Sequence, residues 1–537
     1  MDTGSLVGSS AITLFWMLVA VAVVALLTKR IRVPYTVALV IAGLVIAVVP
    51  GAPTVQLTPD LILAVFLPAL VFEAAYNLHF GQLRENLRTI SALAIPGVLL
   101  TAVVVAGLLH VASGFSWRVA LLFGAIVAAT DPVSVVATFK ELGAPPRLRT
   151  ILEGESLFND GTALVLFRLI LGVIVAGAFD SATSAGQFVL VIAGGAGIGA
   201  AAGYIVAHLM RRFDDYLVET VLTLILAYGT YFLAEQLQVS GVIAVVVAGL
   251  LVGNYAQQIS FSPTSQMAVG LSWEFFGFLA NSLIFLFVGL QVHNTGLAGS
   301  AGSIGSVAVA IGAVLLSRIL IVGLVGAALR LQRGERPLPW RWQLLLVWGG
   351  LRGSLSLAMA LSLPYTLQHG APFVERPQIL VMTFGVILFT LLVQGLTLKP
   401  LLARLGLVTE DRARQEYLHT QARLRVTRAA AATLERQADK GSLTPAIADE
   451  LRAEYAQREA ALLARLDACH VSDGALRSQQ LRAERRQLLT IERTSLQRLL
   501  AEGTIDEDTW RVLAAEIDRR RADLEGDAES PESPSHF

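Results

Sequence analysis

The stretch Glu153-Gly154-Glu155-Ser156-Leu157-Phe158-Asn159-Asp160-Gly161 lies inside an apolar segment, residues 150–178, that is long enough to cross a lipid bilayer. A charge near the middle of a membrane helix costs roughly 2.5–3.5 kcal/mol on insertion scales, so carboxylates at that depth are rare and usually functional. Thr130-Asp131-Pro132 and Arg352 add polar groups at comparable depth in other apolar segments. The sequence therefore predicts a functional site within the membrane.

The composition is that of a membrane protein with many spans. Hydrophobic residues make up 55% of the 537 residues and charged residues only 15%, which is too apolar for an average soluble domain. Since a helix needs about 20 apolar residues to cross the hydrocarbon, we predict an all-α polytopic protein in contact with lipid. Thirteen spans are predicted, at residues 11–28, 34–49, 59–77, 90–112, 117–139, 150–178, 187–209, 217–236, 240–256, 268–291, 305–329, 342–364 and 378–402.

Basic residues divide unevenly between alternate loops. One set of loops contains Lys29, Arg30, Arg32, Arg84, Arg88, Lys140, Arg147, Arg149, Arg211, Arg212, Arg330, Arg333, Arg336 and Arg341. The other set contains only Arg118 and Arg376. Because cytoplasmic loops carry the excess of Lys and Arg, we predict a plasma-membrane protein with its N-terminus outside and its C-terminus in the cytoplasm. The formal net charge of zero gives no basic field of the kind that binds nucleic acid.

The composition changes after about Leu407, where apolar spans stop and Arg, Glu, Ala and Leu dominate. The predicted domains are a transmembrane domain at 1–407, a helical cytoplasmic tail at 408–525 and a disordered C-terminus at 526–537. The tail is either a regulatory or dimer-supporting module or a solvated helical appendage. The single cysteine allows no intramolecular disulfide.

Two predicted spans are interrupted by residues that do not suit a continuous helix. Thr130-Asp131-Pro132 interrupts the fifth span, and Gly349-Gly350-Leu351-Arg352-Gly353 interrupts the twelfth. These breaks are seven spans apart in oppositely oriented helices, as expected for two inverted six-helix repeats with crossed broken helices around a midplane site. Ordinary kinks are the alternative, since Pro and Gly are common in membrane helices. The charged residues at both breaks favour a site.

Polar side chains follow one face of the sixth predicted span. On a helix, Glu155, Ser156, Asn159 and Asp160 form a stripe about 140° wide and about 7.5 Å long. Hard cations such as Na⁺ prefer carboxylate, hydroxyl and carbonyl oxygens. Asp160 can therefore bind either a cation or a proton, and competition between the two for one carboxylate would itself be an antiport mechanism. The sequence contains no phosphate-binding loop of an ATP-driven pump.

Other charged residues have two interpretations each. Asp131 is either a ligand at the break or a helix cap. Arg352 is the best predicted partner for a buried carboxylate, and Arg318 is a second candidate that could instead pair elsewhere. Glu73 and Glu274 could line a funnel that leads to the site, or could be ordinary interfacial carboxylates.

Four motifs resemble one known family. They are Ala129-Thr130-Asp131-Pro132, the stretch 153–161, Ser240-Gly241-Val242-Ile243-Ala244-Val245-Val246-Val247-Ala248-Gly249 and Gly349-Gly350-Leu351-Arg352-Gly353. Together they resemble the monovalent cation/proton antiporters of the bacterial NhaP and eukaryotic sodium/hydrogen exchanger group, over residues 10–405. The resemblance implies a homodimer in which a six-helix core moves against a dimerisation domain in an elevator-like cycle.

The resemblance also implies roles for individual residues. Asp160 matches the essential aspartate that binds the ion and accepts the proton. The predicted ion-binding residues are Asp160, Asp131, Thr130, Ser156 and Asn159, of which Asp160, Asp131, Ser156 and Thr130 would bind Na⁺ directly. Glu155 and Arg352 match a structural ion pair, with Arg318 and Glu73 as possible support. Asn159 stands where electrogenic relatives carry a second aspartate, which implies electroneutral exchange of one Na⁺ for one H⁺.

The sequence therefore predicts a transporter rather than an enzyme, with no cofactor beyond the transported ions. The first hypothesis is a bacterial Na⁺/H⁺ antiporter that exports Na⁺ or Li⁺ and serves pH and sodium homeostasis. A K⁺/H⁺ antiporter on the same scaffold is the alternative, because oxygen ligands alone do not separate the two ions. A channel or a non-transporting membrane sensor would be a different class, and the retained charged residues favour transport over both.

Overall fold

The computed structural model describes residues 3–31, 33–49, 58–176, 181–212, 215–257, 261–291, 301–331, 338–366, 371–407, 412–439, 443–472, 474–501 and 504–526. These residues form helices, and apart from one isolated β-bridge between Thr366 and Pro372 they contain no β-structure. The predicted all-α fold is confirmed. The chain divides into two compact units, Met1–Thr409 and Glu410–Phe537. The predicted disordered segment, apart from Gly526, lies outside the described residues.

The first unit contains helices at all the positions where spans are predicted. They are α1 (Thr3–Ile31), α2 (Tyr35–Val48), α3 (Leu67–Asn77), α4 (Phe80–Ala94), α5 (Pro96–Ser113), α6 (Trp117–Ala128), α7 (Val133–Glu141), α8 (Pro146–Ala176), α9 (Ser181–Met210), α10 (Tyr216–Gln236), α11 (Gly241–Leu251), α12 (Pro263–Gln291), α13 (Ala301–Leu331), α14 (Trp340–Trp348), α15 (Ser354–Leu361), α16 (Arg376–Phe389) and α17 (Gly395–Arg404). Among the described residues, π-helical segments at Leu61–Phe66, Val252–Ala256 and Thr390–Gln394 adjoin α3, α11 and both α16 and α17, respectively.

Eight segments of the described chain are long and apolar enough to cross a membrane: Phe80–Ser113, Trp117–Glu141, Pro146–Val175, Gly186–Met210, Tyr216–Gln236, Pro263–Gln291, Ile304–Leu331 and Arg376–Arg404. Shorter apolar helices lie at Ile12–Thr28, Tyr35–Val48, Leu61–Asn77 and Gly241–Ala256. The total of thirteen spans stays a prediction. The fourth helical segment begins at Phe80, ten residues before its predicted start, because the amphipathic α4 precedes the apolar α5.

Both predicted helix breaks are present. The chain leaves helical geometry between α6 and α7, where Pro132 offers no backbone N–H, and between α14 and α15, where the sequence is rich in glycine. The two breaks contact each other, since the Asp131 N–H donates to the Leu351 carbonyl at 2.8 Å. A Cβ at Gly353 would lie only 2.6 Å from Cβ of Asp131. Gly353 therefore permits the close crossing that brings Asp131 to the centre of the unit.

Glycine also sets the distance between α2 and α12. Gly43 and Gly289 face each other, so that a Cβ added at Gly289 would lie 2.8 Å from Cα of Gly43. Backbones approach this closely in membranes where small residues line the contact, because apolar burial against lipid supplies little force between helices. The α2–α12 contact therefore depends on these two positions having no side chain.

We expect Gly289→Ala to destabilise the protein by about 1–3 kcal/mol, the usual penalty for overpacking a tight contact. Thermal unfolding of the purified protein in detergent measures the effect. Gly270→Ala is the matched control, because it lies on the same helix and its added methyl group would meet no atom of the described chain within 4 Å. Equal unfolding temperatures for the two variants would contradict a close α2–α12 contact.

The second unit contains α18 (Arg412–Asp439), α19 (Pro445–Ser472), α20 (Gly474–Ala501) and α21 (Glu507–Gly526). Helices α18 and α19 pair through a cluster that includes Tyr417, Leu424 and Leu466. Arg452 of α19 also binds Glu435 of α18 through two hydrogen bonds of 2.8 and 2.9 Å. The last helix begins at Glu507, and Asp506 caps it by accepting from the Thr509 N–H at 2.8 Å. Hydrogen bonds from the Thr509 side chain and from its backbone N–H lower the pKa of Asp506.

Candidate cation site

The break between α6 and α7 is held against α8 by three side chains. Ser156 of α8 donates its hydroxyl to the Thr130 carbonyl. The Asn159 amide donates to the Thr130 hydroxyl at 2.6 Å, and its oxygen accepts from the Thr130 N–H at 3.3 Å. The predicted stripe on α8 therefore contacts the predicted break directly. Asn159 makes both contacts at once because an amide both donates and accepts.

Asp131 caps α7, one of its two predicted roles, and its role as an ion ligand stays a prediction. One carboxylate oxygen, Oδ1, accepts from the Val133 N–H at 3.0 Å, which satisfies the first amide of α7. The side chain also lines the cavity described below. The residue thus caps a helix and presents a carboxylate to this cavity.

A cavity of about 320 Å³ reaches the crossing of the broken helices. Its walls include Thr130, Asp131, Ser156 and Asp160, which are four of the five predicted ion ligands. Asn159, the fifth, lies behind this wall and uses its amide on Thr130. The structure thereby makes Asn159 a residue that positions the break.

Asp160 differs from its neighbours because its carboxylate has no partner within the part of the chain that the structure describes. Among the described residues, no hydrogen bond or ion pair reaches this group, and Asp131 is the charged group that acts on it. A carboxylate enclosed by protein without a partner is unfavourable unless it binds a proton or a cation. Asp160 is therefore the group at this site best suited to bind either.

The prediction that Glu155 pairs with Arg352 is wrong. Glu155, only 1% exposed, binds Arg318 instead: its Oε2 accepts from Nη2 at 2.9 Å, and its Oε1 contacts Nη1. Arg318 also donates from Nε to the Leu346 carbonyl at 3.0 Å. The two-point geometry of a guanidinium on a carboxylate is among the stronger protein contacts. Arg318, the second candidate in the sequence, is the partner of Glu155.

Arg352 binds the carbonyls that the broken helices leave free. Its Nε donates to the Val127 carbonyl at 2.9 Å and its Nη1 to the Gly350 carbonyl. Its backbone N–H donates to the Thr390 hydroxyl at 3.1 Å. The last carbonyls of a helix carry partial negative charge and have no partner within the helix, so the end of α6 attracts the guanidinium. Arg352 thereby fixes the shape of the crossing.

The outer part of the cavity holds carboxylates from three elements. Glu73 comes from α3, Glu153 from α8 and Glu274 from α12, and the Asn77 amide donates to Glu73 Oε1 at 2.8 Å. The structure thus places Glu73 and Glu274 on the cavity wall, as the funnel hypothesis proposed. The sequence did not identify Glu153 and Lys140 as lining residues, because an acidic and a basic residue are both common at the cytoplasmic ends of spans.

Comparisons with known proteins agree with this geometry. Residues 17–404 match the family described as "Sodium/hydrogen exchanger, transmembrane". The Na(+)/H(+) antiporter ApNhaP of Aphanothece halophytica is 43% identical over 393 residues, 73% of either chain. The low-affinity Na(+)/H(+) antiporter NhaS1 of Synechocystis is 41% identical over 418 residues, 77% of either chain.

A solved structure shares the fold. The sodium proton antiporter MjNhaP1 from Methanocaldococcus jannaschii superposes with a TM-score of 0.60 and 21% identity, over 74% of this chain and 99% of that chain. At this identity the likeness concerns the fold alone. The matched family region includes both broken helices, the cavity and Asp160. The chain therefore belongs to the sodium/hydrogen exchanger family.

Proposed function

We propose that this protein is a secondary transporter that exchanges Na⁺ for H⁺ at Asp160. The observation that carries the proposal is the unpartnered Asp160 carboxylate in a cavity that also presents Asp131, Ser156 and Thr130. Relatives that match most of the membrane unit are named as Na(+)/H(+) antiporters, which supports Na⁺ and H⁺ as the two transported ions of this chain.

The mechanism follows from competition for one carboxylate. Carboxylates and hydroxyls are suitable ligands for a hard monovalent cation, and the cation and the proton both neutralise Asp160. A charged, empty site is costly to move through a low-dielectric barrier, whereas a neutralised one is far less so. The protein therefore changes the side to which the site opens only when Na⁺ or H⁺ is bound, and each ion drives the other.

The charges around the crossing support electroneutral exchange. Three carboxylates are present, those of Glu155, Asp131 and Asp160, against the two guanidinium groups of Arg318 and Arg352. With all five groups ionised, the net charge is −1. One Na⁺ or one H⁺ brings the total to zero, so the two moving states carry the same charge and the cycle exchanges them one for one.

The position of the cavity supports transport between the cytoplasm and the outside. The cavity is lined by Lys140 and Glu153, at the end of the unit where the basic loops lie. By the excess of basic residues this end faces the cytoplasm, which leaves the N-terminus outside a bacterial plasma membrane. The homodimer and the elevator-like movement belong to the same proposal and rest on the family resemblance.

Reconstitution in liposomes with a trapped pH dye tests the proposal. After a proton gradient is imposed, we expect Na⁺ or Li⁺ to change the internal pH to the same extent whether or not the membrane potential is clamped. A response to K⁺ but not to Na⁺ or Li⁺ would make K⁺ the transported cation. A response that depends on the clamp would overturn the one-for-one stoichiometry, and no response from folded protein would favour the sensor hypothesis.

A further inference from the structure

The cavity that reaches Asp160 contains a positive side chain as well as carboxylates. Lys140 lies in the last turn of α7 and lines the cavity together with Glu73, Glu153 and Glu274. Its ammonium is close enough to act electrostatically on the Glu73 and Glu153 carboxylates. A lysine on the path of a cation repels that cation unless an ion pair neutralises the lysine.

Lys140 is not held in an ion pair within the described part of the chain. Two acidic neighbours have other partners: Glu141, the next residue in the chain, binds Lys399 at 2.7 Å, and Glu153, on the cavity wall, lies 4.0 Å from Arg149. A lysine at the end of a helix also complements the helix dipole. That role explains a basic residue at this end of α7, but it does not require the side chain to line the cavity.

We propose that Lys140 is a tethered cation that competes with incoming Na⁺ for the acidic outer part of the cavity and thereby sets the apparent affinity for Na⁺ on that side. This inference rests on the proposed function. Lys140 does not contact Asp160 as a ligand; it acts through the potential of the space that Na⁺ crosses before it reaches Asp160.

The size of the effect follows from Coulomb's law. At separations of about 5–8 Å and an effective dielectric constant of about 50–60, between the values for a protein surface and for bulk water, one unit charge changes the local cation concentration by roughly threefold to tenfold. Salt screens such an effect, because the Debye length falls from about 30 Å at 0.01 M to about 3 Å at 1 M. The signature of Lys140 is therefore a change in KM that disappears at high ionic strength.

The test uses everted membrane vesicles, which expose the cytoplasmic side to added Na⁺. KM and kcat for Na⁺ are measured for the wild type, Lys140→Gln and Lys140→Arg at low and high ionic strength set with choline chloride. We expect Lys140→Gln to lower KM by roughly threefold or more at low ionic strength with kcat unchanged, and the difference to vanish at high ionic strength. Lys140→Arg should behave as the wild type.

Lys399→Gln is the matched control, since Lys399 is a nearby lysine whose ion pair lies outside the cavity lining. Its KM should equal that of the wild type. An unchanged KM for Lys140→Gln, or a change that persists at high ionic strength, would overturn the inference. The proposed function would still hold, provided that the wild type exchanges Na⁺ for H⁺. Absence of exchange by the wild type would overturn the proposed function and this inference with it. If Lys140→Gln fails to accumulate, Lys140→Met is measured against the same criteria.

Discussion

We expect Asp160→Asn to abolish Na⁺-dependent proton movement while the protein remains folded. The amide has nearly the volume of the acid, so the packing of α8 is kept, but it can neither release a proton nor balance the charge of a cation. Because the Asp160 carboxylate has no protein partner in the described residues, its replacement strands no other charged group. We expect exchange in liposomes to fall to the level of vesicles without protein.

Two controls separate loss of function from loss of fold. Asp60→Asn removes a carboxylate that does not line the cavity and should retain wild-type exchange. The unfolding temperature and the gel-filtration profile of Asp160→Asn should match those of the wild type. Na⁺-dependent proton movement by a folded Asp160→Asn variant would disprove competition at this residue and with it the proposed mechanism.

We expect Arg318→Met to lower the stability of the membrane unit more than Gly289→Ala does. The substitution removes the ion-pair partner that Glu155 has among the described residues and leaves a carboxylate that is 1% exposed. Breaking a buried pair from one side typically costs about 3–5 kcal/mol, because an uncompensated charge remains. We expect a large fall in the unfolding temperature and in the amount of folded protein recovered from membranes.

A double variant identifies the pair. Glu155→Gln combined with Arg318→Met removes both charges, so much of the lost stability should return. The same Glu155→Gln change should not rescue Arg352→Met, because Arg352 binds the carbonyls of Val127 and Gly350 rather than Glu155. Rescue of Arg352→Met alone would show that the sequence-based pairing was correct and the pairing in the structure wrong.

The helix breaks and the polar stripe could be predicted because both are local properties of the chain. Proline lacks a backbone donor and glycine weakens a helix wherever they occur, so the interruptions at 129–132 and 349–353 follow from the residues themselves. The helical period places Ser156, Asn159 and Asp160 on one face of α8. The structure indeed brings this face against the first break.

The partners of the buried arginines could not be predicted in the same way. Arg318 and Arg352 are both single guanidinium groups in apolar segments, and nothing in the neighbouring residues ranks one above the other as the partner of Glu155. The choice depends on which carbonyls the broken helices release and on where they point. That is decided only when α6, α8, α13 and the second break pack together.

The sequence by itself determined that this is a helical membrane protein with two broken spans and an ionisable site between them, because hydropathy, helical period and backbone chemistry act over a few residues. The tertiary structure decided which carboxylate is left free, which arginine neutralises Glu155 and which side chains form the cavity wall. Electrostatic pairing depends on distances between residues as far apart in the chain as Glu155 and Arg318, and only packing sets those distances.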